Sequence, residues 1–199
     1  MLMAVDWTKV MNPYPGRRIT LPNGDEMEVT GMEKKDIEEV ADALLPNVSY
    51  HKDLFDLVTS EIVTELFLWR ENRPIWDLPA ASQFCLVGRV NGEIVGVTNG
   101  GCRDPKIGNS LHTTTLKRGL QVGAYLWPCK LEHYFDVLGV DVVEASAESA
   151  IGSRKLFVTY GFTQHPYPEK ASHFDAILQT MTKPQWDRIK AGKISGERL

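Results

Sequence analysis

The stretch at residues 109–124 reads NSLHTTTLKRGLQVGA, a strand, a turn and the start of a helix in succession. Its first half, Asn109 to Leu116, is rich in threonine and reads as a strand, because β-branched side chains suit a pleated, half-buried surface. The chain then turns through Arg118-Gly119-Leu120-Gln121-Val122-Gly123, and a helical stretch follows from Ala124 to about Leu138. A glycine-containing turn between a strand and a helix exposes backbone N–H groups, and the helix adds its positive N-terminal end. Such a unit suits a pyrophosphate, and Arg118 adds charge-assisted hydrogen bonds.

The pattern extends in both directions. Upstream, Phe84 to Val90, Asn91-Gly92 and Glu93 to Thr98 form the clearest hairpin, since Asn-Gly favours the positive-φ turn that matches strand twist. Gly100 to Gly108 reads as a loop. Leu54 to Trp69 is a helix with an apolar stripe at Leu54, Phe55, Val58, Ile62, Leu66 and Trp69. Glu33 to Leu45 is another, carrying Ile37, Val40, Ala41, Leu44 and Leu45 at helical spacing. Arg18 to Leu21 and Glu26 to Thr30 flank the turn Pro22-Asn23-Gly24-Asp25. Downstream, Asp141 to Ala147 is a strand, Gly152 to Tyr160 a short helix ended by Gly161, and Phe174 to Met181 a last strand. Residues 183–191 suit a small helix, with a frayed end. Helices interleave with strands around a central hairpin, so the expected class is α/β (α+β): a mixed, mostly antiparallel sheet with helices on both faces. The expected organisation is one domain over residues 1–199, with its core at about 18–182, an irregular arm at 1–17 and a tail at 183–199.

Composition narrows the functions. There are 22 basic and 26 acidic residues, a net charge of −4. That argues against nucleic acid as a partner, because neutralising phosphates needs a cationic footprint. The three cysteines, Cys85, Cys102 and Cys129, suit neither a disulfide framework nor a zinc site, and they read as reduced thiols. The histidines show no ligand spacing, so no metal is expected. The N-terminus lacks the basic start and apolar run of a signal peptide, and no apolar run reaches membrane-span length. The expectation is a cytoplasmic protein with no membrane partner, as a monomer or homodimer.

The turn at 118–123 and the later run Leu156-Phe157-Val158-Thr159-Tyr160-Gly161-Phe162 occur in order, with a helix and a strand between them. In this the sequence resembles the GNAT superfamily of acyl-CoA-dependent N-acetyltransferases. That family carries a [QR]xxGx[GA] pyrophosphate loop and a later leucine–aromatic pair followed by Gly-Phe. The resemblance implies acetyl-CoA as co-substrate, held by Leu116, Arg118, Gly119, Leu120, Gln121, Val122, Gly123, Ala124 and Phe157. It implies direct attack by a primary amine on the thioester while both are bound.

Three positions depart from the pattern. Gln121 stands where the middle glycine is expected. Pro128 lies inside the helix and should kink it. Phe157 occupies a position where many members use a tyrosine acid, and it has no proton to give.

Within the superfamily the nearest resemblance is to the arylalkylamine, dopamine-acetylating enzymes. It rests on Ser60-Glu61-Ile62-Val63, a loose match to an acidic stretch, and on Ser149 and Ser153, four apart. It implies Glu61 as the base that takes the amine's proton and Ser153, with Ser149, near the departing thiolate. Ser153 equally suits a helix N-cap. His112 is a further candidate base on the Thr-rich strand. The alternative function is a non-catalytic acyl-CoA-binding or sensor module on the same fold, favoured by Gln121 and Phe157.

Overall fold

The computed structural model describes residues 5–48, 54–147, 150–165 and 178–199. In chain order the elements are β1 (Arg17–Thr20), β2 (Glu26–Gly31), α1 (Ile37–Leu44), α2 (Leu54–Arg70), β3 (Phe84–Val90), β4 (Glu93–Asp104), β5 (Ile107–Thr115), α3 (Val122–Glu132), β6 (Val142–Ser146), α4 (Ala150–Arg154), β7 (Thr163–Gln164), β8 (Leu178–Thr182), α5 (Lys183–Ile189) and β9 (Glu197–Arg198). The strands form one nine-stranded sheet in the order β7-β8-β6-β5-β4-β3-β2-β1-β9. Among the described residues only the β5–β6 pair is parallel. This is the mixed, mostly antiparallel sheet expected from the sequence.

Alternation along the central strands gives the sheet two cores. Leu86, Val90 and Val95 face a cluster that includes Leu126, Leu131 and Phe135 from the α3 side and Trp186 of α5. Cys85, Val87, Ile94 and Val97 face a second cluster with Ile37, Val40, Ala41 and Leu44 of α1 and Ile62, Val63 and Leu66 of α2. Helices therefore cover both faces, as the period-2 and 3.6-residue patterns require. The Asn91-Gly92 turn has φ of 51° and 83°, positive at both central positions as its hairpin type demands.

Several expectations are corrected. The segment Gly100 to Gly108 is not a loop: β4 runs on to Asp104 and β5 begins at Ile107. Its glycines make room for the Tyr134 ring. A Cβ on Gly100 would sit 2.0 Å from the Tyr134 hydroxyl, and one on Gly108 would sit 2.5 Å from its ring. The hydroxyl accepts from the Gly101 N–H at 3.1 Å and donates to the Asn109 carbonyl at 2.5 Å.

The tail is not frayed, because β9 pairs with β1. The 1–17 arm contains a 3-10 turn at Trp7–Lys9 and buries Tyr14. Helix α3 begins at Val122, runs through Pro128 without interruption, and continues as a π-helix over His133–Leu138. The following helix starts at Ala150 rather than Gly152 and becomes a π-helix over Lys155–Thr159. Gly161 then ends it with φ of 71°, the left-handed cap expected of it.

His133 follows α3 and is buried between rings, 4.4 Å from Phe84 and 5.5 Å from Tyr14. Burial draws its pKa down to about 4, against a small opposing pull from Glu132. A folded value below the unfolded one means that the unfolded chain binds the proton first. Stability is therefore full above the unfolded value near 6.5 and is lost as pH falls towards 4. The expected loss is roughly 3 kcal/mol across that window. His133→Phe keeps a ring at the site and should flatten the slope. Urea unfolding at a series of pH values checks this, and equal slopes for both proteins would refute it.

Candidate active site

The site starts where the sheet splits. β5 pairs with β4 along its length, but with β6 only from Ile107↔Val142 to Ser110↔Ala145. Beyond Ser110 the two parallel strands part. At that point β5 carries an extra residue: Thr113 pairs with Thr98 and Ser110 with Gly100, so Leu111 and His112 stand opposite Asn99 alone. Such a bulge re-aims side chains and ends regular pairing. Past it, β5 leads into the turn at 116–121 and then into α3.

That turn alternates in its backbone conformation. Gly119 has φ of 86° and Gln121 φ of 57°, with Leu120 between them not in the positive region. This alternation is the one from which backbone nests are made. Gln121 precedes α3 directly, adopts the left-handed conformation and makes no side-chain cap bond. Its own side chain is exposed, as are Arg118 and Gly119. Gly123 is a close-packing site: a Cβ there would lie 3.1 Å from the Thr115 side chain. Leu116 donates its N–H to the Val95 carbonyl at 2.9 Å, so that group serves the fold rather than a ligand. Ala124 likewise donates its N–H to the Gln121 carbonyl at 2.8 Å, while Arg118 to Gly123 precede or begin α3, whose N-terminal polarity favours an anion.

On the α2 side of the bulge lies a pocket of about 300 Å³, lined by Ser60, Glu61, Thr64, Glu65, Leu68, Ile75 and Trp76. Glu61 and Glu65 are four apart on α2 and so share one face. His112 reaches them from β5: its Nε2 is 3.4 Å from Glu61 Oε2 and 3.2 Å from Glu65 Oε1. Two residues singled out separately in the sequence, Glu61 and His112, thus meet at one wall.

Glu65 was not singled out, although its spacing from Glu61 was visible. It is buried, and its Oε2 accepts from Asn99 Nδ2 at 2.7 Å. Trp76 sits at the rim, 45% exposed, with φ of 50° in a tight turn closed by two Ile75–Leu78 backbone bonds. A tryptophan at positive φ is strained, and such strain clusters at ligand sites.

The remaining candidates lie elsewhere. Ser153 is the fourth residue of α4, not its N-cap, so the capping role is withdrawn. Its Oγ accepts from Gln179 Nε2 of β8 at 3.0 Å. Ser149 and the side chain of Phe55 lie outside the described residues. Phe157 is 52% exposed in the π-helix after α4. Tyr160 is buried 6.0 Å from Trp127, and burial raises its hydroxyl pKa, so it does not replace the missing tyrosine acid. Burial raises the Cys129 thiol to about 11, which suits no nucleophile. Among the described residues no group of three or more His, Cys, Asp or Glu is arranged to hold a metal ion, and no helix is long and apolar enough to cross a membrane.

The chain has the fold of the GNAT acetyltransferases. It is similar to Mycobacterium smegmatis RimJ in complex with CoA-disulfide, at 15% identity and a TM-score of 0.58, covering 92% of this chain and 98% of that one. It is also similar to the GNAT domain of S. lividans PAT, at 13% identity and a TM-score of 0.57, covering 86% and 99%. A third such structure is the ribosomal-protein-S5-alanine acetyltransferase of Vibrio fischeri, at 14% identity and a TM-score of 0.53, covering 80% and 94%. No protein-family model and no curated protein matches the sequence. The arylalkylamine enzymes are not singled out by these likenesses.

Proposed function

We propose that the protein is an acetyl-CoA-dependent N-acetyltransferase acting on a primary amine bound beside the cofactor. The observation that carries this reading is the acidic pocket. Glu61 and Glu65 line it, His112 stands against both, and all three adjoin the bulge where β5 leaves β6. An amine arrives protonated and must lose a proton before it can attack; two carboxylates first attract the cation, and one can take the proton. Glu61 fills that role. Arg118 and the backbone from Gly119 to Gly123 hold the pyrophosphate, and Phe157 lies along the cofactor. Bound there, acetyl-CoA supplies an activated acyl thioester. The free edge of β5 presents backbone donors to the carbonyl. Ser153, or a water that it orients, returns a proton to the thiolate. Leu68, Ile75 and Trp76, which line the pocket, suit an apolar amine body, including an arylalkylamine.

A competing reading is a non-catalytic acyl-CoA sensor, favoured by Phe157 where a proton donor is common. A thiol-release assay with acetyl-CoA against a panel of alkylamines, arylalkylamines and peptide N-termini separates the two. The transferase reading expects turnover with one class. Binding of acetyl-CoA without turnover of any amine would favour the sensor.

The cradle has its own test. Arg118→Ala should weaken coenzyme A by about 1.5–3 kcal/mol, the range for a hydrogen bond to a charged group, and leave amine binding nearly unchanged. Gln121→Gly removes a side chain from a left-handed position that costs it about 1–2 kcal/mol, so it should not weaken coenzyme A. Calorimetric titration reads both. Unchanged affinity in Arg118→Ala would place the cofactor elsewhere, and weaker binding in Gln121→Gly would mean that the Gln side chain is itself a donor.

A further inference from the structure

Lys130 lies on α3 with no exposed surface, and burial holds its amine well below the usual lysine range. An amine is costly to bury unless hydrogen bonds compensate it. Its neighbours supply the reason for its place. Nζ donates to the carbonyls of Asn99 at 3.3 Å and His112 at 3.1 Å, and sits 4.2 Å from the centre of the Trp127 ring. Asn99 and His112 face each other across the β5 bulge.

A bulge interrupts the ladder, so its buried backbone groups need other partners. Side chains meet that need here. Lys130 serves two carbonyls, and in either protonation state it has the two N–H groups required. Thr98 Oγ1 also donates to the His112 carbonyl at 3.2 Å. Asn99 Oδ1 accepts from the His112 N–H at 3.0 Å. The same amide then donates to Glu65 at 2.7 Å. One buried network thus joins the bulge to a carboxylate of the pocket.

We propose that Lys130 and Asn99 are positioning residues that pin the β5 bulge, holding His112 against Glu61 and Glu65 at the wall of the pocket. Its catalytic consequence rests on the acetyl-transfer reading; its geometry does not. Without the pins β5 can relax towards a regular register, and a one-residue slip turns every side chain beyond it to the other face.

The experiment uses the full chain with Lys130→Met, Asn99→Ala and the double variant. The first readout is the His112 amide and ring signals by NMR, which need no turnover. The second is kcat with the best amine of the panel, beside calorimetry with acetyl-CoA. In both single variants the His112 signals should move, kcat should fall by about 10²-fold, because His112 stands against the base Glu61 and misplacing a catalytic group costs about that much, and acetyl-CoA should bind within about twofold of wild type. The double variant should be no worse than the worse single, because both act on one structure. A general packing role would instead lower stability and acetyl-CoA affinity together. Folded variants with unmoved His112 signals would overturn the proposal, as would an Asn99→Ala protein with unchanged kcat. If Lys130→Met fails to fold, Asn99→Ala decides, since it leaves the apolar packing intact. If the wild-type protein turns over no amine, the acetyl-transfer reading falls, and the His112 signals still decide the pinning.

Discussion

Glu61→Gln should lower kcat/KM by about 10²-fold or more while the protein stays folded. The substitution keeps the shape of a side chain that lines the pocket and lies 3.4 Å from His112. It removes the negative charge that attracts an ammonium and the oxygen that takes its proton. The loss should fall mainly on kcat if Glu61 acts in the proton transfer, and mainly on KM if it only attracts the cation. Steady-state kinetics with the amine varied at saturating acetyl-CoA separates these outcomes. Unchanged kinetics at pH 7 would leave Glu61 as a pocket wall and move the proton to Glu65 or His112.

The second large effect is on folding. Glu132→Ala should destabilise the protein by about 3–5 kcal/mol, the cost of leaving a buried charge without its partner. Glu132 ends α3 and is buried. Its Oε2 accepts from Arg17 Nε at 2.7 Å and from the Tyr14 hydroxyl at 2.8 Å, and its Oε1 from Arg17 Nη2 and Arg198 Nη2, both at 2.9 Å. One carboxylate thus ties the first strand, the arm and the last strand to the helix that starts at the cofactor turn.

Burial pushes the Glu132 carboxyl up, but Arg17, then Arg198 and Tyr14, outweigh it and hold it below the ordinary value. A depressed carboxyl contributes stability above its unfolded pKa and loses it as pH falls through the folded value. This loss follows that of His133 as the solution is acidified. Arg198 is the control: it is half exposed, so Arg198→Ala should cost less than about 1 kcal/mol. Urea unfolding at pH 7 measures both, and a Glu132→Ala loss no larger than that of Arg198→Ala would contradict the buried clamp.

The parts legible in the sequence are those fixed by local pattern. The Asn91-Gly92 turn, the stripe Ile37, Val40, Ala41 and Leu44 of α1 and the cap at Gly161 each depend on a few adjacent residues and stand where expected, whereas Leu45, read into the same stripe, lies past the end of α1 and is exposed. The parts that were not legible depend on distant partners. Gly100, Gly101 and Gly108 look like a loop until Tyr134, from after α3, is seen filling the space they leave. Two-residue β9 has no periodicity to read, and its pairing is reinforced by Glu132. In the site, Glu61 and His112 were chosen separately, yet nothing in the sequence brings them within 3.4 Å. Asn99 and Lys130 escaped notice because their meaning lies in a bulge, and a bulge is a mismatch of register between two strands. Ser153 suits a cap by residue type alone, but α4 is already under way at Ala150.

The turn between β5 and α3 is expected to receive acetyl-CoA beside the acidic amine pocket. Calorimetric titration of acetyl-CoA into the wild-type protein, with the melting temperature followed in parallel, measures this. Measurable heat and a higher melting temperature are expected, because a ligand that binds only the folded state must stabilise it. No heat and no shift at millimolar acetyl-CoA would contradict it.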